Sequence, residues 1–477
     1  MTDPRDAEIA DLRRQLAERD VIIAELRAEL AALKEAVAKS SRNSSKPPSS
    51  DGPRAKARPK KAPSGRKPGG QPGHKRHERV LVPPSKVQEF VPCIPKQCDV
   101  CAGFLHGQDP EPHRHQVFEL PPVEPVVTEY QQHALDCGLC GNRTIGKLPE
   151  GVSSRAFGPT VDAVVAVLMG VYRLTKRQVP DLIRDVFSLQ MSVGAVIGCQ
   201  EAASAAMADT VDDARTHVKE QPVKYADETG WREGVGRSRA WLWTVVTTHV
   251  VVFMIHARRN AEAAKELLGT WRGVLVTDRH GAYHWWPNCR RQFRWAHLKR
   301  DIQAIVEREG ESGRLGKGML DEVGRMFTWW HRVRDGTLAR SSFRVYMRTL
   351  QRRFEALLAE GANGSHPKTS KTCAMLLKRR DALWTFVYFE GVEPTNNSAE
   401  QVVRHGVIIR KISYGTHSAA GSRFVERMLT VHATLRRQHR NVLDFMRAAC
   451  IAARRRNHPA PSILPIEASV NPLHHVV

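Results

Sequence analysis

The chain has 477 residues, with 73 Lys and Arg against 50 Asp and Glu, a formal net charge of +23 and a pI of about 10.0. Such a length accommodates about two to four domains with a substantial core, and so basic a balance points to a polyanionic partner. The composition speaks against a membrane protein, because the longest apolar run, near Ala163 to Val171, is too short to span a bilayer.

From the polar, acidic start no secretory signal is expected. With cytoplasmic, nucleoid-associated placement expected, the nine cysteines are read as metal ligands or free thiols rather than a disulfide framework. Over residues 1–39, Ile9, Leu12, Leu16, Ile23, Leu26, Leu30, Leu33 and Val37 follow alternating steps of three and four, with Arg19 at the one polar seam position. This is a heptad seam, and it predicts a coiled coil that dimerises the chain. The alternative is an amphipathic helix lying on its own domain.

Residues 40–85 abandon that rhythm for Ser, Pro, Gly and Lys, in NSSKPPSSD at Asn43 to Asp51 and GRKPGGQPGH at Gly65 to His74. Ten Lys or Arg between Arg54 and Arg79, against the single acid Glu78, predict a disordered cationic arm with salt-sensitive affinity for phosphates. A solvated linker is the plainer reading. In residues 86–150, Cys98 and Cys101 form one CxxC, and Cys137 with Cys140 another, with Gly138 and Gly141 suited to tight turns. Four thiolates saturate a tetrahedral ion, so the expectation is a structural zinc module with Cys93 as a spare thiol. Free buried thiols are the alternative.

Residues 151–215 return to helical spacing at Val161, Val164, Val165, Leu168 and Val171, then Val179, Leu182, Ile183 and Val186, then Val193, Val196 and Ile197. The Leu189 to Ser192 gap, with Ser192 as cap of the third helix, has the form of a helix-turn-helix. Few basic residues open that helix, so plain packing competes with DNA reading.

The chemistry concentrates in residues 216–425. Asp227 in YADETGW and Asp278 in VLVTDRHGAY each follow a short apolar run expected to be a buried strand, which makes them strand-end acids. Glu400 in TNNSAEQVVR opens a helical rhythm. SRAWLWTVVTTH and VVVFMIHARR predict an antiparallel strand pair, followed by a helix near Asn260 to Leu268. Strand, strand, strand, helix, strand is the order of an RNase H-like core, with its first and fourth strands adjacent. The fold class is therefore α/β, flanked and interrupted by helical regions.

Converging carboxylates suit two hard divalent ions, Mg²⁺ or Mn²⁺, and such a pair clamps both oxygens of an in-line phosphoryl displacement. In that scheme Asp227 bridges both ions while Asp278 and Glu400 each complete one shell. RWAHLKRD at Arg294 to Asp301 ends a strand and begins a basic helix offering Lys299 and Arg300 to DNA. His297 is read as a hydrogen-bonded core residue, with a supporting or catalytic role as the alternative. The interval between Asp278 and Glu400 predicts a helical insertion over about 303–392, with stripes at Met319 to Trp330 and Phe343 to Leu358. Trp329, Trp330 and Trp384 are packing anchors there. A final helix and basic tail fill 426–477.

These motifs resemble the DDE transposases of the insertion sequence 66 family, whose blocks read DETG, D-x-x-x-x-Y and NNxAER, and the likeness spans nearly the whole chain. It implies that Asp227, Asp278 and Glu400 are catalytic. It also implies terminal inverted repeats and target DNA as partners, together with small accessory proteins encoded by the same element. The chain departs from the family at Arg294, where Cys is usual, and at Gln401, where Arg is usual. Trp295 and His297 are retained. Arg404 fits the family's next basic position, and Arg410 and Lys411 open a segment similar to its RK-x-x-x-F-x-x-S-x-x-G. The leading reading is metal-dependent cleavage and 3′-end transfer. Its rivals are a zinc-containing dimeric DNA binder without catalysis and a nuclease that cuts without joining.

Overall fold

The computed structural model describes residues 4–38, 44–46, 80–270, 272–395, 397–455 and 458–465, and most of the expected basic arm lies outside the described residues. By its contacts the chain divides into two compact units, residues 54–124 and the remainder. In the smaller unit the Val82 carbonyl accepts from Arg114 Nη2 (2.9 Å) and Gln116 Nε2 (3.0 Å), while the Val82 N–H donates to Gln116 Oε1 (2.9 Å). Cys98 to Gly103 closes a tight turn.

The larger unit begins with α1 (Pro4–Ala38), one continuous helix on which Leu16, Ile23, Leu26, Leu30, Leu33 and Val37 are exposed. The strands β1 (Ala134–Asp136) and β2 (Arg143–Ile145) form an antiparallel hairpin whose turn carries Cys137 and Cys140. Four helices follow: α2 (Pro159–Gly170), α3 (Gln178–Phe187), α4 (Val193–Ala206) and α5 (Ala208–Glu220). The Ser192 side chain accepts from Ala195 N at 3.1 Å and caps α4, the role its sequence position implies. Asp162 on α2 is buried, and Arg155 (2.9 Å) and Arg454 (2.6 Å) balance its charge.

The sheet contains β3 (Val223–Glu233), β4 (Ser238–Val246), β5 (Val251–His256), β6 (Val274–Thr277) and β7 (Arg291–Phe293). Their order is β5-β4-β3-β6-β7. The strand β3 runs antiparallel to β4 and parallel to β6, so the first and fourth strands of the core are neighbours, as expected. Between β5 and β6 lies α6 (Ala261–Leu268), capped by the Asn260 side chain at 3.1 Å from Ala263 N. One expectation is corrected here. Asp227 lies inside β3 and not at its end, because β4 pairs with it from Tyr225 through Glu233 and keeps the strand extended beyond its apolar run.

After β7 come α7 (Trp295–Val306), α8 (Gly310–Arg334), α9 (Arg340–Asn363), α10 (Pro367–Lys378) and α11 (Asp381–Tyr388). They bury a core of their own against the β6 and β7 side of the sheet. Trp295, Phe354 and Trp384 meet there with ring centroids 5.2–5.6 Å apart, and Trp330 packs on Phe343 and Phe386. The chain then forms α12 (Asn397–Ser413), α13 (Ala419–Arg437) and α14 (Val442–Arg454). Among the described residues no helix is long and apolar enough to cross a membrane.

Both sheet edges are covered by helices that satisfy backbone groups otherwise free to recruit another strand. Along β5, Val251 N–H donates to Thr434 Oγ1 and Phe253 N–H to Thr430 Oγ1, each at 3.0 Å, and Ile255 N–H donates to Glu426. Four residues of helix rise about 6 Å and two residues of strand about 6.6 Å. Acceptors spaced by four on α13 therefore match alternate N–H groups on β5. On the other edge, Thr385 Oγ1 donates to Arg291 O (2.6 Å) and Phe386 N–H donates to Gln292 Oε1 (2.8 Å).

Candidate active site

Alternation along β3 sends neighbouring side chains to opposite faces. Lys224, Ala226 and Glu228 are buried on one face, and Asp227 belongs to the other, beside α12. β6 delivers Asp278 directly after its last residue, where Asp278 Oδ1 accepts from His280 N at 2.8 Å. β7 delivers Arg294, whose backbone N–H donates to Thr277 O at 3.0 Å before α7 begins. Glu400 stands in the first turn of α12, where the positive end of the helix favours a carboxylate.

Arg294 joins two of the three acids. Its Nη2 donates to Asp227 Oδ1 (2.8 Å), and Nη1 donates to Asp227 Oδ2 (3.2 Å) and Glu400 Oε1 (3.3 Å). The contact with Asp227 is a two-point fork of the kind that makes Arg–carboxylate pairs strong. The Arg294 side chain is 2% exposed, against 16% for Asp227 and 41% for Glu400. Burial works to lower its basicity, but the charges of Asp227, Asp278 and Glu400 outweigh burial and hold it above its ordinary value.

Asp278 is held separately. Arg259 Nη2 lies 3.8 Å from Asp278 Oδ2, and the same guanidinium donates to Glu228 Oε1 through Nε (2.9 Å) and Nη2 (2.5 Å). Tyr283 Oη donates to the other Glu228 oxygen. Burial first, and then the Asp278 charge, push the Glu228 carboxyl up to about 6. Asp227 and Glu400 thus share one guanidinium, and Asp278 with Glu228 another. As they stand, no group of three or more His, Cys, Asp or Glu among the described residues is placed to hold a metal ion. The donors fit a hard divalent ion in kind, since such ions take carboxylate oxygens. Their present spacing is set by two arginines.

His297 corrects a second expectation. Its ring is 32% exposed and Nε2 lies 3.9 Å from Glu400 Oε1, so it faces the acid and not the core. Burial, aided by Arg294 and Arg300, lowers it to about 4, so at neutral pH it is an uncharged imidazole and makes no ion pair with Glu400. Beside it, Asp278, Arg279, His280, Arg300 and Asp301 line an open pocket. Lys299, Arg404 and Lys411 are exposed. Arg410 instead donates through Nη1 to Gly230 O (2.6 Å) and Thr229 Oγ1 (3.2 Å), fastening α12 to β3. The Asn397 and Ser398 side chains and all of Asn396 lie outside the described residues.

Each CxxC folds into a similar turn. Cys98 N–H donates to Gly103 O and Cys137 N–H to Asn142 O, both at 2.9 Å. The residue after each second cysteine, Ala102 and Gly141, has positive φ. Hydrogen bonds from the backbone of Val100 and Cys101 lower the Cys98 thiol, and those from Cys140 and Leu139 lower Cys137. Thiolate is the form that binds metal.

Glu228, Arg259 and the contacts of Arg294 were not foreseen from sequence; Tyr283 is the tyrosine of the D-x-x-x-x-Y block, but its bond to Glu228 was not foreseen. A polar residue with period-2 placement among buried neighbours was the available signal for Glu228, and a departure from the usual Cys was the signal for Arg294. A family of unknown function (DUF6444) matches residues 1–80. No curated protein matches the chain. The model of the Transposase IS66 family matches residues 156–423, more than half of the chain, and spans Asp227, Glu228, Asp278 and Glu400. The chain belongs to the Transposase IS66 family.

Proposed function

We propose that this protein binds the terminal inverted repeats of its own insertion sequence, cleaves the DNA and transfers the 3′ ends, with Asp227, Asp278 and Glu400 as the catalytic acids. The observation that carries this reading is the meeting of Asp227 and Glu400 on one guanidinium, although 173 residues separate them in the chain, with Asp278 directly after the end of the adjacent strand. The order β5-β4-β3-β6-β7 supports an RNase H-like core. The three carboxylates are the residues that would hold two Mg²⁺ or Mn²⁺ ions, which when bound supply charge at the attacking and leaving oxygens.

The chain's own groups do the rest. Lys299, Arg300, Arg404 and Lys411 hold phosphates, and Arg410 keeps α12, and with it Glu400, on β3. His297, uncharged, offers a hydrogen bond near Glu400 without adding a cation. On the pattern of their paired CxxC spacing, Cys98, Cys101, Cys137 and Cys140 would bind structural zinc, and the exposed stripe on α1 fits a homodimer or a higher oligomer. Companion proteins from the same element are further partners.

A second reading has one observation in its favour. Arg294 already neutralises two of the acids, as it would in a zinc-containing dimeric DNA binder that has lost catalysis. Purified protein, Mg²⁺ and labelled element ends separate the readings. Joined products are expected from the transposase, shifted but uncut DNA supports the binder, and cuts without joining reduce the activity to that of a nuclease.

A further inference from the structure

Two buried arginines, Arg291 as the first residue of β7 and Arg294 just past its last, are held differently. Arg291 is fixed by structural groups: its guanidinium donates to Thr277 Oγ1 (3.0 Å), Asp278 O (2.7 Å), Tyr283 O (3.2 Å) and His280 O (3.4 Å). Among the described residues, Arg294 directs its side-chain hydrogen bonds to Asp227 and Glu400. Its Nε is buried with no hydrogen-bond partner among the described residues, although buried polar groups are ordinarily paired. Among the described residues no backbone carbonyl or hydroxyl bonds this guanidinium, and the two carboxylates are its hydrogen-bond partners.

A cation ion-paired with both acids competes with any other cation for the same oxygens. We propose that Arg294 is a resident counter-ion, standing where a divalent ion would bridge Asp227 and Glu400, so that metal binding there requires the guanidinium to swing away. This rests on the assignment of those acids as metal ligands and adds a property of this chain. The metal-free site is self-neutralised and stable, and its affinity for the ion is reduced. A carboxylate pair stripped of Arg294 is repulsive and takes up metal more readily.

The test is Mn²⁺ binding by full-length protein, followed through the electron paramagnetic resonance signal of free Mn²⁺, with thermal melting in chelator and in Mn²⁺. R294Q and R294M remove the charge while leaving a side chain of comparable length, and either one that folds carries the test. Tighter Mn²⁺ binding than wild type, by about tenfold or more, is expected, with a lower melting temperature in chelator and a larger rise on adding Mn²⁺. Equal or weaker Mn²⁺ binding by the folded variant overturns the proposal. D227N separates this failure from failure of the assignment. If D227N binds Mn²⁺ as wild type does, the acids are not the ligands; if D227N loses binding while R294Q gains none, only the counter-ion role falls.

Discussion

Gly406 sits in the middle of α12, where glycine costs about 1 kcal/mol relative to alanine, and its position in the structure explains why it is there. A Cβ built on it would lie 2.2 Å from Leu242 Cδ2 and 3.9 Å from Leu429 Cδ1, and Leu242 is fully buried on β4. Carbon atoms pack at about 3.5–4.0 Å, so Gly406→Ala leaves a shortfall of about 1.3 Å or more that Leu242 or the helix must absorb. Overpacking of this size costs about 1–3 kcal/mol. The helix-propensity gain offsets about 1 kcal/mol, for a net loss of at most about 2 kcal/mol. Function suffers more, because Glu400 lies on the same helix and a misplacement of about 1 Å can cost on the order of a hundredfold in rate. Melting curves set beside a DNA strand-transfer assay separate the two effects. A small change in melting temperature with at least about tenfold lower activity is expected. Wild-type strand transfer by a folded G406A protein would refute the argument that this close approach positions Glu400.

Three further outcomes follow from other parts of the structure. Thr430→Val keeps the shape of the side chain but strands the buried Phe253 N–H, so unfolding should become easier by about 1–3 kcal/mol, and a denaturant midpoint unchanged from wild type contradicts that role. Metal analysis of the purified protein should find one zinc per chain, lost in C98S and in C137S together with thermal stability; a metal-free protein of undiminished stability removes the zinc site. Leu26→Lys places a charge on the exposed stripe of α1, and light scattering should report a smaller assembly than wild type, whereas an unchanged mass rules out this stripe as the dimer seam.

The sequence discloses what rests on local patterns. Ser192 caps the helix that follows it because a side-chain oxygen at the right offset suffices. Asp278 follows a short run, Val274 to Thr277, that reads as a buried strand. Features set by distant partners are another matter. β3 extends past Ala226 only because β4 is there to pair with it. Arg294 looks like one more basic residue of RWAHLKRD, and its partners stand 67 and 106 residues away. Glu228 reads as a surface acid next to Asp227 until strand alternation turns it inward onto Tyr283 and Arg259. The family likeness brings out Asp227, Asp278 and Glu400 but gives no reason for an arginine between two of them, because that position usually holds Cys.

The central claim is that Asp227, Asp278 and Glu400 perform DNA chemistry. Its most direct test is a Mg²⁺-dependent cleavage and joining assay on labelled element ends with Asp227→Asn and Glu400→Gln, alongside a gel shift on the same DNA. Loss of cleavage and joining with DNA binding retained is the result predicted. Wild-type turnover by either variant would contradict the account.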